Sequence, residues 1–351
     1  MKKNIFLIIH PLYGRTGTTW LQEKILPKLS ILNLGKNESF KLFTENDSLI
    51  SKQRKIFCPF NSDNDCKKRY RNSELLINDY LESIIFLIKE NIKNKDELIA
   101  IISDETMLQY GGFEINLFSF YTTIYLLKEK LKSEFNLVIS INITIREQSS
   151  FLLSHYSYDY NRERSCFKDF RTFIEFGIKN PNERIFGQLN YWSVYNQIRN
   201  IFINFDNLSI NIIPFELLEY KKLYLKKFFE ILPSNHNLND EIEKISNYKN
   251  IVNSSKFNED YRENYYPIQF IEQRIIKIYN SIKENLNNNT KNKLRIIFKI
   301  YKSSKLRFRL KRGVVKYKNN MQKEIRSIYK KSNKNLIHIL DEDFLKKNNY
   351  I

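Results

Sequence analysis

An apolar, β-branched run at residues 4–9 stops at His10-Pro11. The stretch Gly14-Arg15-Thr16-Gly17-Thr18-Thr19-Trp20 then leads into apolar residues at helical spacing, Trp20, Leu21, Ile25 and Leu29. Strand, glycine-containing turn and helix are the expected start of the chain. Three later runs, Glu97–Ser103, residues 136–145 and Leu208–Pro214, are short, apolar and bounded like buried parallel strands, and each follows a stretch long enough for a crossover helix. Strands alternating with helices predict an α/β fold with a central parallel β-sheet flanked by helices.

Beyond Glu216 the pattern turns helical, over residues 217–232, 268–286 and 323–340. The expected organisation is an α/β core over residues 1–250, with an irregular cap near 37–72, and a helical C-terminal region over 251–351 packed on that core. Global disorder is excluded, since 42% of the 351 residues are hydrophobic and 14% aromatic, enough to fill a large core.

Lys and Arg number 58 against 39 Asp and Glu, a net charge of +19, which favours an anionic partner. Residues 291–318 hold twelve of the cations and no carboxylate, interleaved with apolar side chains such as Ile296, Phe298 and Leu310. Such a segment can lie on an anionic membrane surface, bind an acidic polysaccharide, or be a solvated helix packed by its apolar stripe. Nucleic acid is the least supported partner, as no recognition motif accompanies the charge. Three scattered cysteines exclude a disulfide framework and lack the spacing of a structural zinc site. With no apolar run of membrane-spanning length, the expected location is the cytoplasm, with peripheral contact at the inner face of the membrane through 291–318.

The chemistry concentrates where the first strand meets the first helix. Backbone N–H groups at a helix start have no intrahelical acceptor, and the helix dipole favours negative charge there. Gly14 and Gly17 let the backbone close around an anion, Thr16, Thr18 and Thr19 add hydroxyl donors, and Arg15 adds a permanent positive charge. The Gly-Lys-[Ser/Thr] that serves β/γ-phosphates and Mg²⁺ is missing, which disfavours an ATP-dependent phosphotransferase. A second cation, Arg146, follows the strand ending at residue 145, and Ser154 lies eight residues on, two turns away along a helix, where the pair could grip another anion.

These two elements resemble those of the PAPS-dependent sulfotransferases, PAPS being 3′-phosphoadenosine 5′-phosphosulfate. Gly-Arg-Thr-Gly-Thr-Thr-Trp is similar to their 5′-phosphosulfate loop, Pro-Lys-Ser-Gly-Thr-Thr-Trp, and Arg146-x₇-Ser154 to their 3′-phosphate element. Ser103-Asp104-Glu105, Arg146-x-Gln148-x₅-Ser154-x-Tyr156, Tyr191-Trp192, Phe215-Glu216-x-Leu218 and Ser332-Asn333-x₂-Leu336 resemble the bacterial carbohydrate sulfotransferase branch. The likeness spans most of the chain except residues 37–72 and the basic segment, and it implies a P-loop-like sulfotransferase fold. By that resemblance Thr16, Gly17, Thr18 and Thr19 would hold the 5′-phosphosulfate, Arg15 would act at its bridging oxygen, and Arg146 and Ser154 would bind the 3′-phosphate. Trp20 would stack on adenine, where helical periodicity alone would equally make it a core aromatic. Arg15 departs from the more frequent Lys of the family; it donates to the same anion as a fixed fork.

The implied reaction moves a sulfuryl group from PAPS to a hydroxyl of a carbohydrate, a cell-surface, capsular or lipid-linked glycan, without a metal. It needs a general base near the phosphate loop. Glu105, after the strand Glu97–Ser103, is the first candidate and Glu38, shortly after the first helix, the second; Asp104, His10 and His155 stay open. Two readings of other classes remain: another P-loop-type transferase or kinase, and a non-catalytic protein that binds polyanions or a membrane surface.

Overall fold

The computed structural model describes residues 2–13, 16–35, 52, 56, 63–104, 106–109, 113–158, 167, 169–234, 236–246, 262–263, 290, 313–314, 317 and 320–351. The apolar runs form strands β1 (Lys3–Leu12), β3 (Glu97–Ser103), β4 (Phe135–Ile145) and β5 (Leu208–Pro214), and a two-residue strand, β2 (Leu32–Asn33), joins one edge. All neighbours are parallel, in the order β2-β3-β1-β4-β5.

Strand periodicity divides the buried residues between two faces. Ile5, Leu7 and Ile9 of β1 share one core with Leu98, Ala100 and Ile102 of β3, whereas Phe6 and Ile8 share the opposite core with Ile99 and Ile101. Each such side chain contributes roughly 1.5–3 kcal/mol when fully buried, so a strand with both faces covered must be apolar throughout.

Helices supply the covers. The helical run after the glycine turn opens with a single α turn, α1 (Thr18–Trp20). It widens to a π turn at Leu21–Ile25, where the Leu26 N–H reaches the Leu21 carbonyl, and closes as a 3₁₀ turn at Leu26–Lys28, which contains Pro27. The regular helix expected here is thus irregular, although it still buries Trp20, Leu21, Ile25 and Leu26. The first face is packed by α2 (Asp63–Ile92), α3 (Thr106–Gln109) and α4 (Phe113–Leu131). Next along the chain come α5 (Gln148–Tyr158), α6 (Phe170–Lys179), α7 (Arg184–Gln188) and α8 (Tyr191–Ile201). After β5 a 3₁₀ turn at Phe215–Tyr220 leads to α9 (Lys221–Phe228) and α10 (Leu238–Ser246), which pack the second face together with the first helical run.

A two-residue antiparallel pair, β6 (Arg262–Glu263) with β7 (Gly313–Val314), interrupts the region expected to be helical. The chain ends in α11 (Met321–Lys334), a 3₁₀ turn at Asn335–His338 and α12 (Glu342–Lys347); Ile325, Tyr329, Leu336, Leu345 and Tyr350 enter the first-face core. Of the expected cap at 37–72, residues 63–72 belong to α2, and the rest, apart from 52 and 56, lies outside the described residues. So do the helical stretch 268–286 and the basic segment 291–318, apart from 313–314 and 317. Among the described residues no helix is long and apolar enough to cross a membrane.

Candidate functional site

In open α/β sheets ligands bind beyond the carboxyl ends of the strands, where adjacent connections leave in opposite directions. Here that point lies between β1, whose chain runs on toward β2 and β3, and β4, whose chain runs on toward β5. The residues following β1 and β4 are the two sequence elements expected to hold anions.

On the β1 side, Gly17 takes a φ of +80°, a left-handed conformation open to glycine at little cost, and its carbonyl accepts from the Leu21 N–H at 3.1 Å to start the helical run. A Cβ on Gly17 would come within 2.3 Å of Leu218 Cδ1 and 3.4 Å of the Phe215 ring. The turn is therefore pressed against the segment that follows β5. Thr16 is buried and its hydroxyl donates to the Tyr13 carbonyl, Thr18 is buried, and Thr19 is exposed. Trp20 is only 2% exposed and meets Tyr224 edge to face at 6.1 Å, so its ring forms part of the second-face core instead of an open stacking surface. Gly14 and Arg15 lie outside the described residues.

On the β4 side, Arg146 is half-buried; its Nε donates to Ser150 Oγ at 3.0 Å and its guanidinium lies 4.6 Å from the centre of the Phe215 ring. Phe215 thus lies against Arg146 and beside the Gly17 turn, where an added Cβ would meet it. Arg146, Ser150 and Ser154 follow one another at four-residue steps, along one face of the segment that enters α5. The near serine bonds the arginine, while Ser154, a turn further on, is 1% exposed.

Buried bonds fix the backbone here. Tyr191 donates to the Arg146 carbonyl at 2.5 Å, and its ring packs at 5.4 Å against Tyr13, which precedes the glycine turn. Glu147 caps the start of α5 by accepting from the Ser149 and Ser150 N–H groups at 3.1 and 2.9 Å, and it pairs with Arg326 at 3.2 Å. Glu216 accepts from the Glu147 N–H at 3.0 Å and the Tyr350 hydroxyl at 2.8 Å; burial raises its pKa above the ordinary carboxyl value, opposed by these two bonds and, less, by the Arg146 charge.

The candidates for general base are distributed differently. Glu105 and Glu38 lie outside the described residues. Asp104 is fully buried at the end of β3, with its N–H on the His10 carbonyl at 3.1 Å, and after burial itself it is a cause of the raised pKa of Tyr80. His10 is fully buried between strands, with Nδ1 3.0 Å from Ser103 Oγ and Nε2 3.0 Å from Thr144 Oγ1. His155 lies stacked between Phe151 and Phe173. His10 is thus held by bonds between strands and His155 by aromatic packing.

Sequence reasoning missed Ser150 and gave Phe215, Glu216 and Tyr191 no role. The four-residue step from Arg146 could have indicated Ser150, whereas the others depend on contacts between distant segments. No protein-family model and no curated protein matches the sequence.

Proposed function

We propose that this chain is a sulfotransferase that moves a sulfuryl group from PAPS to a hydroxyl of a carbohydrate, on a cell-surface, capsular or lipid-linked glycan. The observation that carries the reading is the Phe215 ring set against Arg146 and beside the Gly17 turn, where β1 and β4 diverge. A nucleoside with phosphates at both its 5′ and 3′ positions calls for two such anion sites close together beside an aromatic surface. A single phosphate loop would not explain the second cation.

The residues present fit such a donor. A left-handed glycine lets backbone N–H groups converge, and a guanidinium at a strand end offers a planar fork to a phosphate. In this reading Arg15, Thr16, Gly17, Thr18 and Thr19 hold the 5′ end, and Arg146 holds the 3′-phosphate, with Ser150 and Ser154 along the same helix face. Phe215, in place of the buried Trp20, offers a ring to the nucleoside.

When bound, the donor supplies an activated sulfuryl group. The protein aligns the acceptor hydroxyl with sulfur, so that the acceptor oxygen–sulfur bond forms as the bond from sulfur to the 5′-phosphate oxygen breaks. Arg15 neutralises charge gathering on the leaving phosphate, and a carboxylate, Glu105 before Glu38, takes the hydroxyl proton. The products are the sulfated sugar and 3′-phosphoadenosine 5′-phosphate.

Turnover can be read as release of 3′-phosphoadenosine 5′-phosphate from PAPS in the presence of oligosaccharides, acidic polysaccharides and lipid-linked glycans. Release that depends on a glycan and falls by at least tenfold in either Glu105→Gln or Glu38→Gln is the expected result. No release with any acceptor, together with phosphate transfer from ATP, would replace this reading with a kinase.

A further inference from the structure

Two residues near the C-terminus, Asn333 and Tyr350, take no part in the anion site yet are tied by hydrogen bonds to the segment that follows Arg146, Asn333 directly and Tyr350 through Glu216. Gln148, the first residue of α5, donates from Nε2 to Asn333 Oδ1 at 2.8 Å and accepts at Oε1 from Asn333 Nδ2 at 3.0 Å. The same Asn333 Nδ2 donates to the Tyr350 carbonyl at 2.8 Å. The Tyr350 hydroxyl donates to Glu216, whose other oxygen holds the Glu147 N–H. A closed circuit therefore runs from Glu147 through Glu216, Tyr350 and Asn333 to Gln148. Gln148 and Asn333 are 1% exposed and the Tyr350 ring is buried, so no water is at hand to replace a broken bond.

We propose that Asn333 and Tyr350 are positioning residues that fix the backbone following Arg146, and thereby set the site's selectivity for a ligand with a second phosphate. The inference rests on the reading of Arg146 as the 3′-phosphate ligand. Only a side-chain amide at 333 both donates to and accepts from Gln148 while still donating to the Tyr350 carbonyl; an aspartate there can only accept. Turning the peptide between Arg146 and Gln148 breaks these bonds and swings the guanidinium away from Ser150 and Phe215. A role in stability alone would weaken folding without changing which nucleotide is preferred.

The test is calorimetric titration of the full chain and of Arg146→Gln, Asn333→Asp and Tyr350→Phe with 3′-phosphoadenosine 5′-phosphate and with adenosine 5′-phosphate, beside urea unfolding of each. The wild type is expected to prefer the bisphosphate, and Arg146→Gln to lose that preference. Asn333→Asp and Tyr350→Phe are expected to bind the bisphosphate roughly threefold to tenfold more weakly, with the monophosphate unchanged. Should Asn333→Asp fail to fold, Tyr350→Phe, which keeps the ring and removes one hydroxyl, decides alone. Folded variants with the wild-type preference intact overturn the positioning role and leave the reading of Arg146 standing. A wild type that does not distinguish the two nucleotides overturns that reading, and this inference with it.

Discussion

At the residue scale, Gly17 and Glu216 carry the most direct consequences. Gly17→Ala places a Cβ in the left-handed region and 2.3 Å from Leu218 Cδ1, so the turn must shift or Leu218 must move. The expected cost is about 1–3 kcal/mol of stability, measured by urea unfolding, and Leu218→Ala should cost less in the Gly17→Ala chain than in the wild type, by the part owed to the contact. Glu216 makes a prediction in pH. Its pKa is raised in the folded state by burial, so the native protein holds that proton more tightly than the unfolded chain. Stability from this group is therefore full below the ordinary glutamate value and falls as pH rises from there through the folded value, becoming flat above it. Glu216→Gln stays neutral throughout; the wild-type-minus-variant difference in unfolding free energy should decline across that window, and a difference that is level with pH would contradict the assignment.

At the scale of elements, the strands were legible because burial on both sides leaves a continuous apolar signature, and the runs at Glu97–Ser103 and Leu208–Pro214 coincide with β3 and β5. Strand β2 was not, because two residues on a sheet edge carry no pattern. The first helix was legible in place but not in form, since apolar spacing does not distinguish α from π turns. What joins the elements was also hidden. His10, Ser103 and Thr144 lie on three different strands, and their hydrogen bonds link β3, β1 and β4 through the imidazole, with Gln22 of the first helical run donating to Ser103 Oγ at 3.1 Å. Removing the ring by His10→Ala leaves a cavity and takes one partner from each of two buried hydroxyls, of which Ser103 keeps Gln22 and Thr144 keeps Tyr224. We expect a loss of about 2–4 kcal/mol by urea unfolding, with a loss under 1 kcal/mol speaking against a linking role.

At the scale of the whole molecule, the candidate site was legible in its contiguous parts. The glycine turn and Arg146 with its serines are local patterns, whereas Phe215 and the Asn333–Gln148 pair depend on segments brought together by folding. The last segment belongs to the core as firmly as the strands do: Ile325, Tyr329, Leu336, Leu345 and Tyr350 are all at most 3% exposed. At roughly 1.5–3 kcal/mol for each, their loss would consume most of a domain's usual net stability of about 5–15 kcal/mol. Deletion of residues 321–351 should accordingly leave a chain without a cooperative thermal transition, and a sharp transition near the wild-type temperature would contradict that placement. The proposed function requires two neighbouring anion sites that recognise one nucleotide phosphorylated at both 5′ and 3′ positions. Calorimetric titration of the full chain with 3′-phosphoadenosine 5′-phosphate, beside ADP and ATP with and without Mg²⁺, tests it most directly. A sulfotransferase donor site should show metal-independent binding that favours the 3′-phosphorylated nucleotide; preference for Mg-ATP, or no nucleotide binding at all, would overturn the assignment.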